Sequence, residues 1–233
     1  MATHVLPDNR MKAMILAAGR GERMRPLTDA VPKPLLNAGG KPLIDYHLNA
    51  LASSGVNQVV VNVAWQKQRL LDHLGDGSRF GLRVDISDEG EAALETGGGV
   101  YRALKYLGQE AFWLVNGDVY AEPDFSAVEL PAGMLAHLLM VPNPEHNPGG
   151  DFCLQDGLIS NQGPVMFTYS GISILHPGLF RGCRDGVFPL APLLSKAAAE
   201  GKVSGELLTS FWCDVGTPER LAWLDKKLAS QQS

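Results

Sequence analysis

The sequence predicts an α/β protein: a mixed, mainly parallel sheet flanked by helices. Three observations carry that reading. Short apolar runs alternate with amphipathic helical patterns through the first half of the chain. Glycines punctuate the joins, and past Asp124 the alternation gives way to longer strands with less helix between them. Alternation of this kind builds a right-handed parallel sheet covered on both faces.

Each element has its own warrant. Residues 12–18 form an apolar run ended by Gly19, which reads as a buried strand and a turn. Ile44, Leu48 and Leu51 share one helical face, and Gly55 closes that helix. Val59, Val60 and Val61 make a β-branched strand. A helix is expected over 66–74 and a strand over 82–87. Val100, Ala103, Leu104 and Leu107 follow the i, i+3, i+4, i+7 spacing of an amphipathic helix, and 111–115 is a further buried strand. Strands over 133–142 and 166–175 come next. Helical faces then return at Leu190, Leu193, Leu194 and Ala197, and at Leu221, Leu224 and Leu228. The expected organisation is a leader or disordered segment over 1–10 and one domain over 11–230. Within that domain, 11–124 is a nucleotide-binding half and 125–230 completes the pocket.

The 233 residues are 45% hydrophobic and 19% charged, enough for a sizeable core without staples. A formal charge of −5 lacks the basic footprint of a nucleic-acid binder. The longest near-apolar run, 133–141, is interrupted by His137 and falls far short of the roughly 20 residues that span a bilayer. Residues 1–10 carry no apolar stretch of the signal-peptide kind. Cys153, Cys183 and Cys213 lie 30 residues apart with no metal-ligand spacing, so reduced thiols and a cytoplasmic setting are expected.

In open α/β sheets ligands sit outside the carboxyl ends of the strands, which directs attention to the loops after Ala18, Ser87 and Val115. The first reads Leu16-Ala17-Ala18-Gly19-Arg20-Gly21-Glu22-Arg23-Met24-Arg25-Pro26-Leu27-Thr28, then Pro32-Lys33-Pro34. Glycines after a buried strand bring backbone N–H groups close to an anion. Met24 in the third glycine position departs from the dinucleotide fingerprint, and no P-loop is present. Between Gly19 and Lys33, four cations and two acids give a local charge of +2 and leave −7 for the rest of the chain. A basic glycine loop on an acidic body suits polyphosphate binding. Two flanking prolines bias Pro32 and Lys33 toward extended backbone and give the lysine a stiff mount.

The pattern L-A-A-G-x-G-x-R-M-x-P-L-T followed by P-K-P resembles the signature of the sugar-1-phosphate nucleotidylyltransferases, and the resemblance runs from Met11 to about Leu228. It implies a Rossmann-like nucleotidyltransferase fold, without the left-handed β-helix domain that some relatives append. Leu94 to Gly99, Asn116-Gly117-Asp118, Gly150-Asp151-Phe152, the Gly201 to Glu206 segment and Trp212 to Gly216 resemble one branch. That branch joins UTP and N-acetylmuramate α-1-phosphate in cell-wall sugar recycling, releasing pyrophosphate.

The resemblance assigns the triphosphate to Leu16, Ala17, Ala18, Gly19, Gly21 and Arg23. Arg23 and Lys33 are the catalytic cations, and Thr96 and Gly98 lie near the base or ribose. Asn116, Asp151 and Glu206 are candidates for sugar contacts. By residue type alone, Asp118 at the end of a buried strand suits Mg²⁺. An Asn-Gly hairpin is the competing reading, weakened by Pro123 in the return segment. Asp214 precedes Thr217-Pro218, a helix-capping pair. The resemblance makes Asp118 and Asp214 ligands of one Mg²⁺. The broader family's Glu-Lys-Pro segment is missing between Asp151 and Ser195, with Lys202 the nearest substitute for its lysine. An ionised sugar phosphate is already a nucleophile, which accounts for the lack of a Ser/His/Asp or Cys/His set. Two alternatives stay open: the same reaction on glucose, N-acetylglucosamine or mannose phosphate with UTP or GTP, and a nucleotide-sugar binder without turnover. No nucleic acid or membrane partner is expected.

Overall fold

The structure, a computed structural model, describes residues 11–230. The expected leader over 1–10 lies outside them. In chain order the elements are β1 (Lys12–Leu16), β2 (Asn37–Ala38), β3 (Lys41–Pro42), α1 (Leu43–Ser53), β4 (Gln58–Val63), α2 (Lys67–Leu74), β5 (Arg83–Asp88), α3 (Glu95–Leu107), β6 (Phe112–Asn116) and β7 (Val119–Ala121). There follow β8 (Ala136–Val141), β9 (Phe152–Gln155), β10 (Leu158–Ser160), β11 (Met166–Leu175), α4 (Ala191–Ala199), β12 (Val203–Leu207), β13 (Trp212–Asp214) and α5 (Pro218–Ala229).

Nine strands form one mixed sheet in the order β5-β4-β1-β6-β11-β8-β12-β10-β9, and the described residues contain no β-helix. β5, β4, β1 and β6 run parallel, with Met14 opposite both Val60 and Leu114. β11 enters antiparallel between β6 and β8, and β12 pairs parallel with β8. One face buries Ile15, Val61, Trp113 and Ile174 with Leu48 and Leu51 of α1; the other buries Met14, Leu114 and Leu138 with Val100 and Ala103 of α3 and Leu194 of α4. Period-2 alternation of large apolar residues in β1 and β6 thus fills both faces, as a doubly covered sheet requires. A third cluster joins Leu43 and Tyr46 to Val215, Leu224 and Leu228, holding α5 against α1.

Three expectations are corrected. The first strand stops at Leu16 rather than Ala18, because the Ala17 N–H turns to the Asn62 side chain at 2.6 Å. The helix expected to start near Val100 starts at Glu95, so Thr96 to Gly99 lie inside its first turns rather than in a loop. Tertiary contacts override the poor helix propensity of three glycines: Gly98 donates to the Phe188 carbonyl at 3.0 Å, and the Thr96 hydroxyl accepts from Leu190 N at 2.9 Å. Lys33 is not extended. It opens a short 3-10 turn, Lys33–Leu35, closed by Leu35 N to Pro32 O at 2.8 Å and Leu36 N to Lys33 O at 3.0 Å. Only Pro32 keeps the extended backbone.

Candidate functional site

β1 lies at the point where the chain's direction across the sheet reverses: β4 and β5 follow on one side of it and β6 on the other. The carboxyl ends of its neighbours part there, and a crevice opens, as it does in open α/β sheets generally. A cavity of about 430 Å³ fills it. Its walls are mostly the ends of four parallel strands and the loops that follow them, with the first turn of α3 and Gly216 after β13.

The first loop supplies Leu16, Ala17, Ala18, Gly19, Gly21 and Arg23 to the wall. Gly21 organises this loop: its carbonyl accepts from Met24 N at 2.8 Å and from the Thr28 hydroxyl at 2.8 Å. Lys33 reaches the cavity from its 3-10 turn. It is only 7% exposed, and its Nζ lies 3.0 Å from Asp118 Oδ2. Burying an ammonium is expensive without a partner, so this ion pair fixes the lysine's aim. Arg20 points elsewhere, stacked on the Trp65 ring with its guanidinium carbon 4.6 Å from the centroid.

Asn116, Gly117 and Asp118 form the opposite wall. There is no hairpin at Asn116-Gly117. Gly117 N donates to Leu16 O at 2.9 Å, which ties the end of β6 to the end of β1. The chain then leaves the main sheet as β7 and pairs antiparallel with β13, Val119 opposite Asp214. Val215 N also donates to the Asp118 carbonyl at 2.9 Å. These bonds bring the backbones at Asp118 and Asp214 together across two short strands, although 96 positions separate them in the sequence; Asp118 lines the cavity and Asp214 does not. Beneath them His47, fully buried, bonds through Nε2 to the Val119 carbonyl at 2.8 Å. Burial pushes its imidazole down to about 4, so it is neutral at physiological pH.

Asp214 holds two partners: the Arg220 guanidinium, and His146 Nε2 at 3.0 Å. Arg220 stands in the first turn of α5, whose N-cap is Thr217 as its sequence position suggests. Gly216, two residues on from Asp214, lines the cavity. Among the described residues no group of three or more His, Cys, Asp or Glu side chains gathers into a metal cage. Two carboxylates with hard oxygen donors do match the one or two that Mg²⁺ takes, when its other ligands come from substrate phosphates and water.

The remaining expected residues divide. Thr96 lines the cavity. Gly98 does not: a Cβ there would sit 2.1 Å from Gly186 O, and its N–H is taken by Phe188. Asn116 is on the wall, whereas Asp151 and Glu206 are not. Asp151 accepts from Tyr169 N at 2.8 Å and from Asn147 at 3.1 Å. Glu206 belongs to β12, which β11 and β8 separate from β6; its carboxylate lies 3.6 Å from His137 Nε2. Lys202 pairs with Glu200 at 3.2 Å and is also off the wall.

Several wall residues are not named as site residues from the sequence, among them Asn62, Glu89, Ala93, Glu95 and Gly216, although Glu89, Glu95 and Gly216 lie in loops or segments it singles out. Asn62 did leave a trace, as the single amide in the β-branched run Val59 to Val63. A polar residue at the carboxyl end of a buried strand needs a partner, and that need points toward a site. Glu95 lies within the Leu94 to Gly99 segment of the resemblance, but its left-handed backbone (φ 61°), a tertiary outcome, leaves no local mark of its own.

Comparison with known proteins agrees with this geometry. The family model described as nucleotidyl transferase matches residues 12–136. The N-acetylmuramate alpha-1-phosphate uridylyltransferase of Neisseria meningitidis serogroup B is 48% identical over 91% of this chain and 95% of its own length. The protein of the same name from Caulobacter vibrioides is 36% identical over 93% of this chain and 96% of its own. The crystal structure of HddC from Yersinia pseudotuberculosis shares the fold at TM-score 0.77 and 23% identity, over 94% of this chain and 99% of that one. A family match over more than half the chain, relatives that align almost end to end, and a cavity at the sheet's reversal point agree: the chain belongs to the nucleotidyl transferase family.

Proposed function

We propose that this chain transfers the uridylyl group of UTP to N-acetylmuramate α-1-phosphate, giving UDP-N-acetylmuramate and pyrophosphate within peptidoglycan sugar recycling. The observation that carries the reading is the cavity itself. It sets a glycine loop, a buried lysine and a carboxylate around one space, the equipment of phosphoryl chemistry without a general base. The substrate assignment rests on the 48% identity to the Neisseria relative.

In the reaction a phosphate oxygen of the sugar phosphate attacks the α-phosphorus of UTP. The bond to the bridging α–β oxygen breaks, and that oxygen leaves with pyrophosphate. The nucleophile arrives ionised, so the protein's work is positioning and charge neutralisation. Backbone groups of Leu16 to Gly21 and the Arg23 guanidinium would hold the triphosphate. Lys33 would offset charge at the reacting phosphorus, released from Asp118 as that carboxylate takes another partner. Asp118 and Asp214 would hold Mg²⁺, which when bound neutralises phosphate charge. Thr96 suits the nucleoside and Asn116 the sugar. The expected domain over 11–230, with its nucleotide half at 11–124, is retained in this proposal. Cys153, Cys183 and Cys213 are all free, and burial pushes the Cys213 thiol up to about 11. Free thiols suit the cytoplasm. Among the described residues no helix is long and apolar enough to cross a membrane.

The test is pyrophosphate release across a panel of sugar 1-phosphates and nucleoside triphosphates. Preference for UTP with N-acetylmuramate α-1-phosphate is expected. Preference for mannose 1-phosphate with GTP would overturn the substrate and keep the family. UTP binding with no release on any sugar would make the chain a binder.

A further inference from the structure

Glu89 and Asn62 form a buried bridge between the two walls of the nucleotide cavity. Both line the cavity, and both are almost wholly removed from solvent, at 5% and 3% exposure. Glu89 Oε1 accepts from Asn62 Nδ2 at 2.7 Å, and Oε2 accepts from the Leu94 backbone N–H at 2.7 Å. Asn62 Oδ1 in turn accepts from Ala17 N at 2.6 Å. Ala17 opens the loop that follows β1; Leu94 immediately precedes α3 and its wall residues Glu95 and Thr96. Three hydrogen bonds through two side chains therefore tie loops that are otherwise separate in the chain.

The chemistry dictates the direction of every bond. An amide side chain can face a neighbour with either its oxygen or its nitrogen. A carboxylate that accepts twice has no donor to offer, so Asn62 must turn its NH₂ toward Glu89 and its carbonyl toward Ala17. Gly99 gives this arrangement room, since a Cβ there would come within 2.5 Å of Glu89 Oε1 and 2.9 Å of Asn62 Nδ2. Burying a carboxylate is a poor way to gain stability, and the attested use of such a group is to fix register.

We infer that Glu89 is a positioning residue: it locks the orientation of Asn62 and so holds the phosphate loop at Ala17 and the start of α3 at Leu94 in one fixed spacing around the nucleotide. The inference rests on the nucleotide reading of the cavity. It assigns Glu89 a role through Asn62 rather than by touching the base.

The lock has a distinctive symmetry. Glu89→Gln offers one acceptor where two donors wait, so its NH₂ opposes either Asn62 or Leu94. Adding Asn62→Asp restores all three bonds with the polarity of the middle one reversed. The carboxylate introduced at position 62 would accept from Ala17 N and from the NH₂ of the amide introduced at position 89. The oxygen of that amide would accept from Leu94 N. Net charge is unchanged. The experiment measures KM and kcat for UTP, together with amide hydrogen exchange at Ala17 and Leu94, in wild type, E89Q and the double swap. In E89Q, KM for UTP is expected to rise about tenfold, the scale of one buried donor left unpaired. Its kcat should stay within about threefold, because both walls hold ground and transition states alike. Exchange at one or both amides should quicken. The double swap is expected to return KM and exchange close to wild type.

Wild-type behaviour in E89Q overturns the inference, as does a double swap no better than E89Q. So does a shift in preference among UTP, CTP and GTP with the Ala17 amide still protected, because Glu89 would then read the base directly. If E89Q unfolds, the melting temperature decides instead: recovery in the double swap supports the lock, and no recovery overturns it. If wild type does not turn over UTP, the proposed function falls. The exchange rates then still decide whether the lock exists.

Discussion

The two ends of the central sheet treat the cavity differently. β5, β4, β1 and β6 are parallel, and they, the loops that follow them and the first turn of α3 supply every wall residue except Gly216. β8, β10 and β12 supply none, although they lie in the same sheet. Parallel strands deliver all their carboxyl-terminal loops to one rim, so four of them surround a ligand without special devices. The other end mixes directions, with only β8 and β12 parallel among its neighbours, and scatters its loops over both rims. Its contribution arrives by a separate route, the β13 ribbon clipped to β7, which carries Asp214 to Asp118. Residues near the rim only in sequence analogy, such as Glu206, stay with their strand.

The largest expected effect tests the parallel end. Lys33→Ala should lower kcat by about 10²–10³-fold, the scale of losing one preorganised charge, with the circular dichroism spectrum unchanged. Near-normal turnover would remove Lys33 from the chemistry. If Asp118 holds Mg²⁺ as proposed, Asp118→Asn should abolish turnover at any Mg²⁺ concentration while leaving the fold intact; an unfolded variant would recast the residue as structural.

Next comes the clip. His47 supports the Val119 carbonyl and is held near pKa 4, against 6.5 when exposed. Between those values the unfolded chain binds the extra proton, so stability rises with pH across that window. It is complete above about 6.5 and lost progressively toward 4, amounting to about 3 kcal/mol for this residue. Denaturant titrations at several pH values should show that acid limb, and His47→Gln should flatten it. An identical slope in the variant would place the acid sensitivity elsewhere.

Gly98→Ala separates packing from base contact. Gly186 O leaves no room for a methyl group, so a loss of about 1–3 kcal/mol in stability is expected. KM for UTP should be little changed at temperatures where the variant is folded. A large KM effect with intact stability would bring Gly98 back to the nucleotide. The smallest effect is expected of Glu206→Gln at the far end of the sheet, with kcat/KM for the sugar phosphate within about twofold of wild type. A tenfold loss would mean that the antiparallel end closes over the sugar after all.

Much of this was readable in the chain alone, for local reasons. The apolar runs before Gly19 and Asn116 read as buried strands, and the glycines with cations after the first of them marked the loop that lines the cavity. Thr217-Pro218 capped α5 as its residue types require. Tertiary structure decided what depends on distance between strands. Nothing local says that the strand after Asp118 pairs with the one ending at Asp214, that Lys33 turns into a 3-10 bend and is buried against a carboxylate, or that Gly98 serves the Phe188 segment. The bridge from Ala17 through Asn62 and Glu89 to Leu94 is the extreme case. Asn62 alone leaves a local trace, as an amide in a β-branched run, and the group becomes a site because the parallel register of β1, β4 and β5 stacks their ends side by side. Sequence determines which groups exist and which local shapes they prefer; the direction of a buried hydrogen bond is set by the neighbour that the fold brings to it.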